Sequence, residues 1–152
     1  MRGRSMIIRV CEENLQSAAE IHAESWRASH ASFCSEEFVM RHTVAHQRAY
    51  LEEEMQAGKR LYMLIKEKPV GIVSIQDSLI ENLYVLPAEQ RKGYGTELLL
   101  FALEQCRNVP RLWVLDNNAE AQKLYRRFGF RMTGKANQLA PGLSELEMAK
   151  EI

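Results

Sequence analysis

Leu83-Tyr84-Val85-Leu86-Pro87-Ala88-Glu89-Gln90-Arg91-Lys92-Gly93-Tyr94-Gly95-Thr96 runs from the end of an apolar strand into the start of a helix. Pro87 stops the strand, a short polar loop turns, and two glycines one residue apart open the helix. Free amide N–H groups and the positive end of the helix dipole converge at such a start, which makes an anion site. Gly93 and Gly95 lack the side chains that would hold a phosphate off the backbone. Arg91 and Lys92 add two positive charges, and Thr96 adds a hydroxyl donor in the first turn. The set suits a pyrophosphate, although alone it also fits an ordinary glycine-rich turn with solvated basic residues. Two rival phosphate loops are excluded. The Walker pattern G-x-x-x-x-G-K-[ST] is absent, and Leu98 stands where a dinucleotide fingerprint needs its third glycine.

Working outward, the strand that feeds the loop is expected over about 79–86 and the helix over about 93–107, with Leu99, Ala102, Leu103 and Cys106 on one face. Upstream, residues 61–66 and 70–76 read as a hairpin around Glu67-Lys68-Pro69. A first strand is expected at 6–11. Leu15, Ala18, Ala19, His22, Ala23 and Trp26 recur at helical spacing. Ser35 reads as the N-cap of a second helix continuing to about Ala57 and ended by Gly58. Downstream, residues 111–115 form a compact apolar strand. Asn118 caps a helix with Ala121, Leu124, Tyr125 and Phe128 on one face, closed by Gly129. Two last strands, about 130–137 and 143–148, flank Ala140-Pro141-Gly142. This order predicts an α/β chain whose mixed sheet carries helices on both faces.

The 152 residues predict one domain over 6–152, with Met6 an alternative start and residues 1–5 a tag remnant or mis-assigned start. Lys plus Arg (20) equals Asp plus Glu (20), so no bulk charge recruits nucleic acid or a membrane, and anion binding must be local. Cys11, Cys34 and Cys106 are odd in number and widely spaced, which argues against a disulfide framework or a zinc site. They fit a reducing cytoplasm. No apolar run reaches the roughly 18–20 residues of a membrane span, and the N-terminus lacks a signal peptide's apolar stretch.

Gln90-Arg91-Lys92-Gly93-Tyr94-Gly95 resembles the Q/R-x-x-G-x-G/A loop of the GNAT superfamily of N-acetyltransferases. The preceding Leu-Tyr-Val-Leu-Pro is similar to the strand that leads into that loop. Asn118, Ala121 and Tyr125 fit the family's N-x-x-A-x-x-x-Y pattern, and Phe128-Gly129-Phe130 its F-G-F ending. The resemblance spans nearly the whole chain. It implies the acyl-CoA N-acyltransferase fold, with a mostly antiparallel sheet, and acetyl-coenzyme A as cofactor with no metal. It also implies that backbone amides from Arg91 to Thr96 cradle the pyrophosphate. Leu83 and Val85 then hold the pantetheine arm through their backbones, in a gap between splayed strands, and Asn118 contacts it from the opposite wall.

Acetyl transfer needs an amine that has lost its proton, a donor for the developing oxyanion, and a proton or hydrogen bond for the departing thiolate. Tyr125 lies two helical turns after Asn118, on one face. The stripe alone favours core packing, and the resemblance implies a donor to the thiolate. The Val85 N–H is implied as the oxyanion donor. Glu81 alternates onto the strand face of Leu83 and Val85. It is read as the base, as a strand-edge charge or as a carboxylate that binds a cationic amine, with a water relay as the further alternative. The acidic residue frequent earlier in this strand is replaced by Leu79.

Ser25-Trp26-Arg27-Ala28-Ser29-His30 resembles the S-W-x-x-x-Y segment of one GNAT branch, with His30 in the tyrosine position. Trp26, His30, Phe33 and Phe38 are candidates to wall the acceptor pocket; the alternative makes Trp26 and Phe38 core and His30 an exposed helix end. His30 is also a second candidate base. Glu52-Glu53-Glu54 reads as a solvated face. Lys123, Arg126, Arg127 and Arg131 read as helix C-terminal charges, one of which could reach a 3′-phosphate. The acceptor is expected to be a small-molecule or peptide amine, and family members are often homodimers. A non-catalytic acyl-CoA sensor is the rival reading. A nucleotide- or nucleic-acid-binding domain fits the balanced charge poorly.

Overall fold

Among the described residues, short β-branched runs separated by turns supply seven strands, and amphipathic runs supply five α-helices. In the computed structural model, which describes residues 5–32 and 34–151, the order is β1 (Met6–Arg9), α1 (Leu15–His30), α2 (Glu36–Met40), α3 (Val44–Gln56), β2 (Arg60–Ile65), β3 (Pro69–Gln76), β4 (Leu79–Val85), α4 (Tyr94–Gln105), β5 (Arg111–Leu115), α5 (Ala119–Arg127), β6 (Phe130–Ala140) and β7 (Leu143–Lys150). Residues 1–4, part of the expected start remnant, and Phe33, a candidate pocket wall, lie outside the described residues.

The strands form one sheet in the order β1-β2-β3-β4-β5-β7-β6. Every neighbouring pair is antiparallel except β4 with β5. A crossover through α4 joins that parallel pair, as a parallel pair requires. On one face α1 and α3 bury Leu15, Ala18, Ala19 and Leu51 against Leu61, Met63 and Ile72. On the other, Leu98, Leu99 and Ala102 of α4 pack on Val73, Ile75 and Ile80, and Leu124 of α5 and Phe128 at its C-terminal end add to them. Each fully buried Leu, Ile, Val or Met among them contributes about 1.5–3 kcal/mol by leaving water, and each alanine less. Among the described residues no helix is long and apolar enough to cross a membrane.

The expected long helix from Ser35 to Ala57 is two helices. Ser35 does cap α2, accepting from the Phe38 N–H at 3.2 Å. Thr43 then caps α3 by accepting from the His46 N–H at 3.1 Å. A hydroxyl that satisfies a free amide favours a new helix start over continuation.

Candidate functional site

The parallel pair β4–β5 is joined only at Leu79–Arg111 and Ile80–Leu112. Beyond those residues the strands part, and a cleft of about 950 Å³ opens between them. That volume lies at the upper end of the ~300–1,000 Å³ usual for ligand clefts. β4 and β5 form its flanks, the start of α4 one end wall and α5 the opposite side.

A bulge decides which way β4 faces. Its register with β3 shifts between Ile72 and Ser74, where one β3 residue opposes two on β4, and Asn82 takes a left-handed φ of 52°. At the lower end the Arg111 N–H donates to the Ser78 carbonyl at 2.8 Å, so Ser78 and, by alternation, Ile80 turn their peptide groups toward β5. At the upper end the Leu86 N–H donates to the Val70 carbonyl at 2.9 Å, so even-numbered residues there face β3. The extra residue inverts the parity. The peptide groups of Leu83 and Val85 are thereby aimed at the cleft, where no strand pairs with them.

The same bulge overturns the expected face of Glu81. Glu81 pairs with Ser74 and Tyr84 with Ile72, which puts both side chains toward α1 and α3, while Val85 faces α4 opposite Gly71. Strict alternation holds only without an inserted residue. Glu81 still lines the cleft. One of its carboxylate oxygens is held 2.8 Å from Lys59 Nζ, which also lies 2.7 Å from Glu54. Burial works against the Lys59 charge, but these two carboxylates outweigh it and raise its pKa. Glu54 is therefore tied into an ion pair, unlike the exposed Glu52 and Glu53.

At the loop, Arg91 (φ 66°) and Gly93 (φ 84°) are both left-handed. Left-handed residues at a helix start are the kind of backbone that can turn successive N–H groups to one side, here at the N-terminus of α4. A Cβ on Gly93 would meet no atom within 4 Å, so the space over the loop is open there. Gln90, Arg91, Gly93, Tyr94, Gly95 and Thr96 line the cleft; Lys92 does not. Its ammonium turns to Glu89 at 2.9 Å, a pairing that raises the Lys92 pKa and lowers that of Glu89. Lys92 is thus placed away from the anion position the sequence suggested. Gly71 lets α4 sit tight on the sheet: a Cβ there would stand 2.8 Å from Leu98 Cδ1 and 3.0 Å from the Tyr84 carbonyl.

On the opposite wall Asn118, Ala121 and Tyr125 line the cleft together. Asn118 Oδ1 accepts from the Ala121 N–H at 3.1 Å, capping α5 as expected. The Tyr125 ring packs edge-on to Phe130, with centroids 6.0 Å apart. Burial pushes its pKa up to about 12, so the phenol keeps its proton at neutral pH. Tyr125 therefore packs on the core and faces the cleft at once. Tyr84, not among the expected site residues, also lines the cleft, its pKa raised by burial and then by the Tyr125 oxygen. Lys123 and Arg127 line it as well. Arg131 instead donates to the Arg126 and Phe130 carbonyls.

The α1 end of the cleft carries Ser25, Ser29 and His30. Burial lowers the His30 pKa from its usual value, against a hydrogen bond with the Trp26 carbonyl. Trp26 does not line the cleft. Its two faces are covered by the rings of His30 (3.9 Å) and His42 (3.5 Å), so the indole has no free face for a ligand. Phe38 is neither core nor cleft wall, being 46% exposed. Among the described residues no cluster of three His, Cys, Asp or Glu side chains is placed to hold a metal ion.

A family model described as an acetyltransferase (GNAT) domain matches residues 19–152. A UPF0039 protein of Schizosaccharomyces pombe is 36% identical over 76 residues, 48% of this chain; the chain spans about half the length of that curated relative. PaiA N-acetyltransferase from Thermoplasma acidophilum, solved in complex with coenzyme A, superposes with a TM-score of 0.74 at 20% identity, covering 98% of this chain and 99% of that one. YncA from Salmonella typhimurium, solved with acetyl-CoA, gives 0.73 at 20% identity over 97% and 94%. A GNAT-family acetyltransferase from Bacillus cereus gives 0.75 at 16% identity over 98% of each chain. At these identities the solved structures speak for a shared fold.

Proposed function

The chain belongs to the acetyltransferase (GNAT) domain family, and on that premise we propose that it transfers an acetyl group from acetyl-CoA to a primary amine of a small molecule or peptide. The observation that carries this reading is the gap between β4 and β5, into which Val85 turns its peptide group beside the loop of α4. The open, left-handed backbone at Arg91 and Gly93 fits a diphosphate, and the solved relatives named for coenzyme A and acetyl-CoA support that ligand.

Acetyl-CoA supplies the acetyl thioester. The amides of Arg91 to Thr96 would bind its diphosphate, and the peptide groups of Leu83 and Val85 would hold the arm as a missing strand does. The Val85 N–H would stabilise negative charge developing on the carbonyl oxygen, where a fixed dipole acts without reorganising. Tyr125 would donate its proton or a hydrogen bond to the departing sulfur. Asn118 and Ala121 form the wall across from β4. Glu81, with one oxygen already engaged by Lys59, would orient the acceptor amine rather than take its proton, and His30 closes the acceptor end. The amine proton would then leave through water at the cleft mouth.

Release of free thiol from acetyl-CoA across a panel of amines tests the reading. Turnover with at least one amine supports it. Tight acetyl-CoA binding with no turnover on any amine replaces it with a sensor, and no binding at millimolar acetyl-CoA removes it.

A further inference from the structure

The bulge that aims Val85 at the cleft is held from outside the strand. Asn82, the left-handed residue, accepts at Oδ1 from His22 of α1 (3.3 Å) and from the Tyr50 hydroxyl of α3 (3.5 Å). Its Nδ2 donates to Ser74 Oγ at 3.0 Å, and that hydroxyl donates on to the Glu81 carbonyl at 3.2 Å. His22 is 3% exposed, and its other nitrogen, Nδ1, lies 2.6 Å from the side-chain amide of Gln47, itself 3% exposed. An amide N–H donating to Nδ1 leaves the ring proton on Nε2, the atom that faces Asn82. Gln47 Oε1 accepts in turn from His46 at 2.7 Å.

We propose that His22 is a positioning residue for the reaction at the cleft: by donating from Nε2 to Asn82 it locks the β4 bulge, and Gln47 sets the tautomer that makes this donation available. Without an inserted residue, β4 would pair with β3 in continuous alternation. The peptide groups of Leu83 and Val85 would then turn to β3 and leave the cleft without its donor. Asparagine tolerates the left-handed region, but its backbone alone does not require it. The side-chain bonds from two helices make the bulged register the selected one. The inference deepens the acetyl-transfer reading and rests on it for the consequence to catalysis; the lock itself is a property of the folded chain.

Amide hydrogen exchange on the wild-type chain and on His22→Leu, His22→Gln and Asn82→Gly variants tests the lock directly. In the wild type the Tyr84 amide, paired with β3, is expected to be at least about tenfold more protected than that of Val85, which is open to the cleft. His22→Leu and Asn82→Gly should erase this contrast. His22→Gln, whose amide can donate in place of Nε2, should keep it. With acetyl-CoA, His22→Leu should lower kcat about tenfold or more while changing the acceptor KM less than about threefold. It should also weaken acetyl-CoA but leave 3′-phospho-ADP, which lacks the arm, within about twofold. Persistence of the Tyr84–Val85 contrast in both His22→Leu and Asn82→Gly overturns the proposal. So does equal weakening of both ligands, or failure of His22→Gln to restore kcat. If His22→Leu does not fold, Asn82→Gly alone decides. If the wild type binds no acetyl-CoA, the functional reading fails while the exchange contrast still judges the lock.

Discussion

Gln90 donates its side-chain amide to the Val85 carbonyl at 3.2 Å, tying the first residue of the glycine loop to the last residue of β4. The bond couples that loop to the strand that faces the gap. One such bond contributes about 1 kcal/mol, so Gln90→Ala should weaken acetyl-CoA about fivefold in calorimetry. An unchanged Kd would mean that packing of α4 on Gly71 fixes the loop by itself.

Arg91 lines the cleft, whereas Lys92 is turned to Glu89. Arg91→Ala should raise the Kd for acetyl-CoA about tenfold through loss of a charge-assisted contact. Lys92→Ala should change it less than about twofold, as expected for an exposed ion pair. The reverse ranking in a titration series would show that Lys92 swings into the cleft on binding.

Tyr125→Phe should lower kcat by ~10²-fold with cofactor affinity nearly unchanged, since only the hydroxyl is lost and the ring that packs on Phe130 is kept. The raised pKa adds a pH signature. Below pH 10 the folded and unfolded chains both carry the phenol proton. Between 10 and about 12 only the folded chain keeps it, so stability falls as pH rises through that window. Thermal melts should show a shallower alkaline loss for Tyr125→Phe than for the wild type.

His22 predicts the opposite limb. Burial lowers its pKa from 6.5 to about 4, with His42 and His30 adding to the lowering and Asn82 and Glu54 opposing it. Between those values the unfolded chain takes up a proton that the folded chain refuses, so stability falls as pH drops from 6.5 toward 4. The shift corresponds to a loss of about 3 kcal/mol by the acid end. Urea melts of wild type and His22→Gln at pH 7 and pH 4.5 should converge at the lower pH; parallel losses would assign the acid sensitivity elsewhere.

Glu81→Gln separates orientation from proton abstraction. With Lys59 on one oxygen, the substitution should raise the acceptor KM several-fold and leave the basic limb of the pH–rate profile in place. A shift of that limb together with a collapse of kcat would make Glu81 the base.

Much of this could be read from residue order because local chemistry decides it. Asn118 and Ser35 cap their helices through short-range bonds, and Gly129 adopts the left-handed φ of 91° that ends α5. The loop from Gln90 to Thr96 is legible for the same reason. The face of Glu81 was not, since the bulge depends on His22 and Tyr50, sixty and thirty-two residues from Asn82. A left-handed-tolerant asparagine inside an apolar strand was its one local trace. Thr43 was a legible cap hidden in a continuous helical pattern. The covering of Trp26 by His30 follows helical spacing, but that by His42 waits on how α2 folds back.

Gly71 makes the placement of the α4 loop depend on one absent methyl group. Helix α4 is a stiff rod, so a side chain at 71 that lifted Leu98 by a fraction of an ångström would carry the Gly93 turn with it. A substitution in the sheet interior would then reach ligand affinity by leverage, at a residue no ligand ever meets.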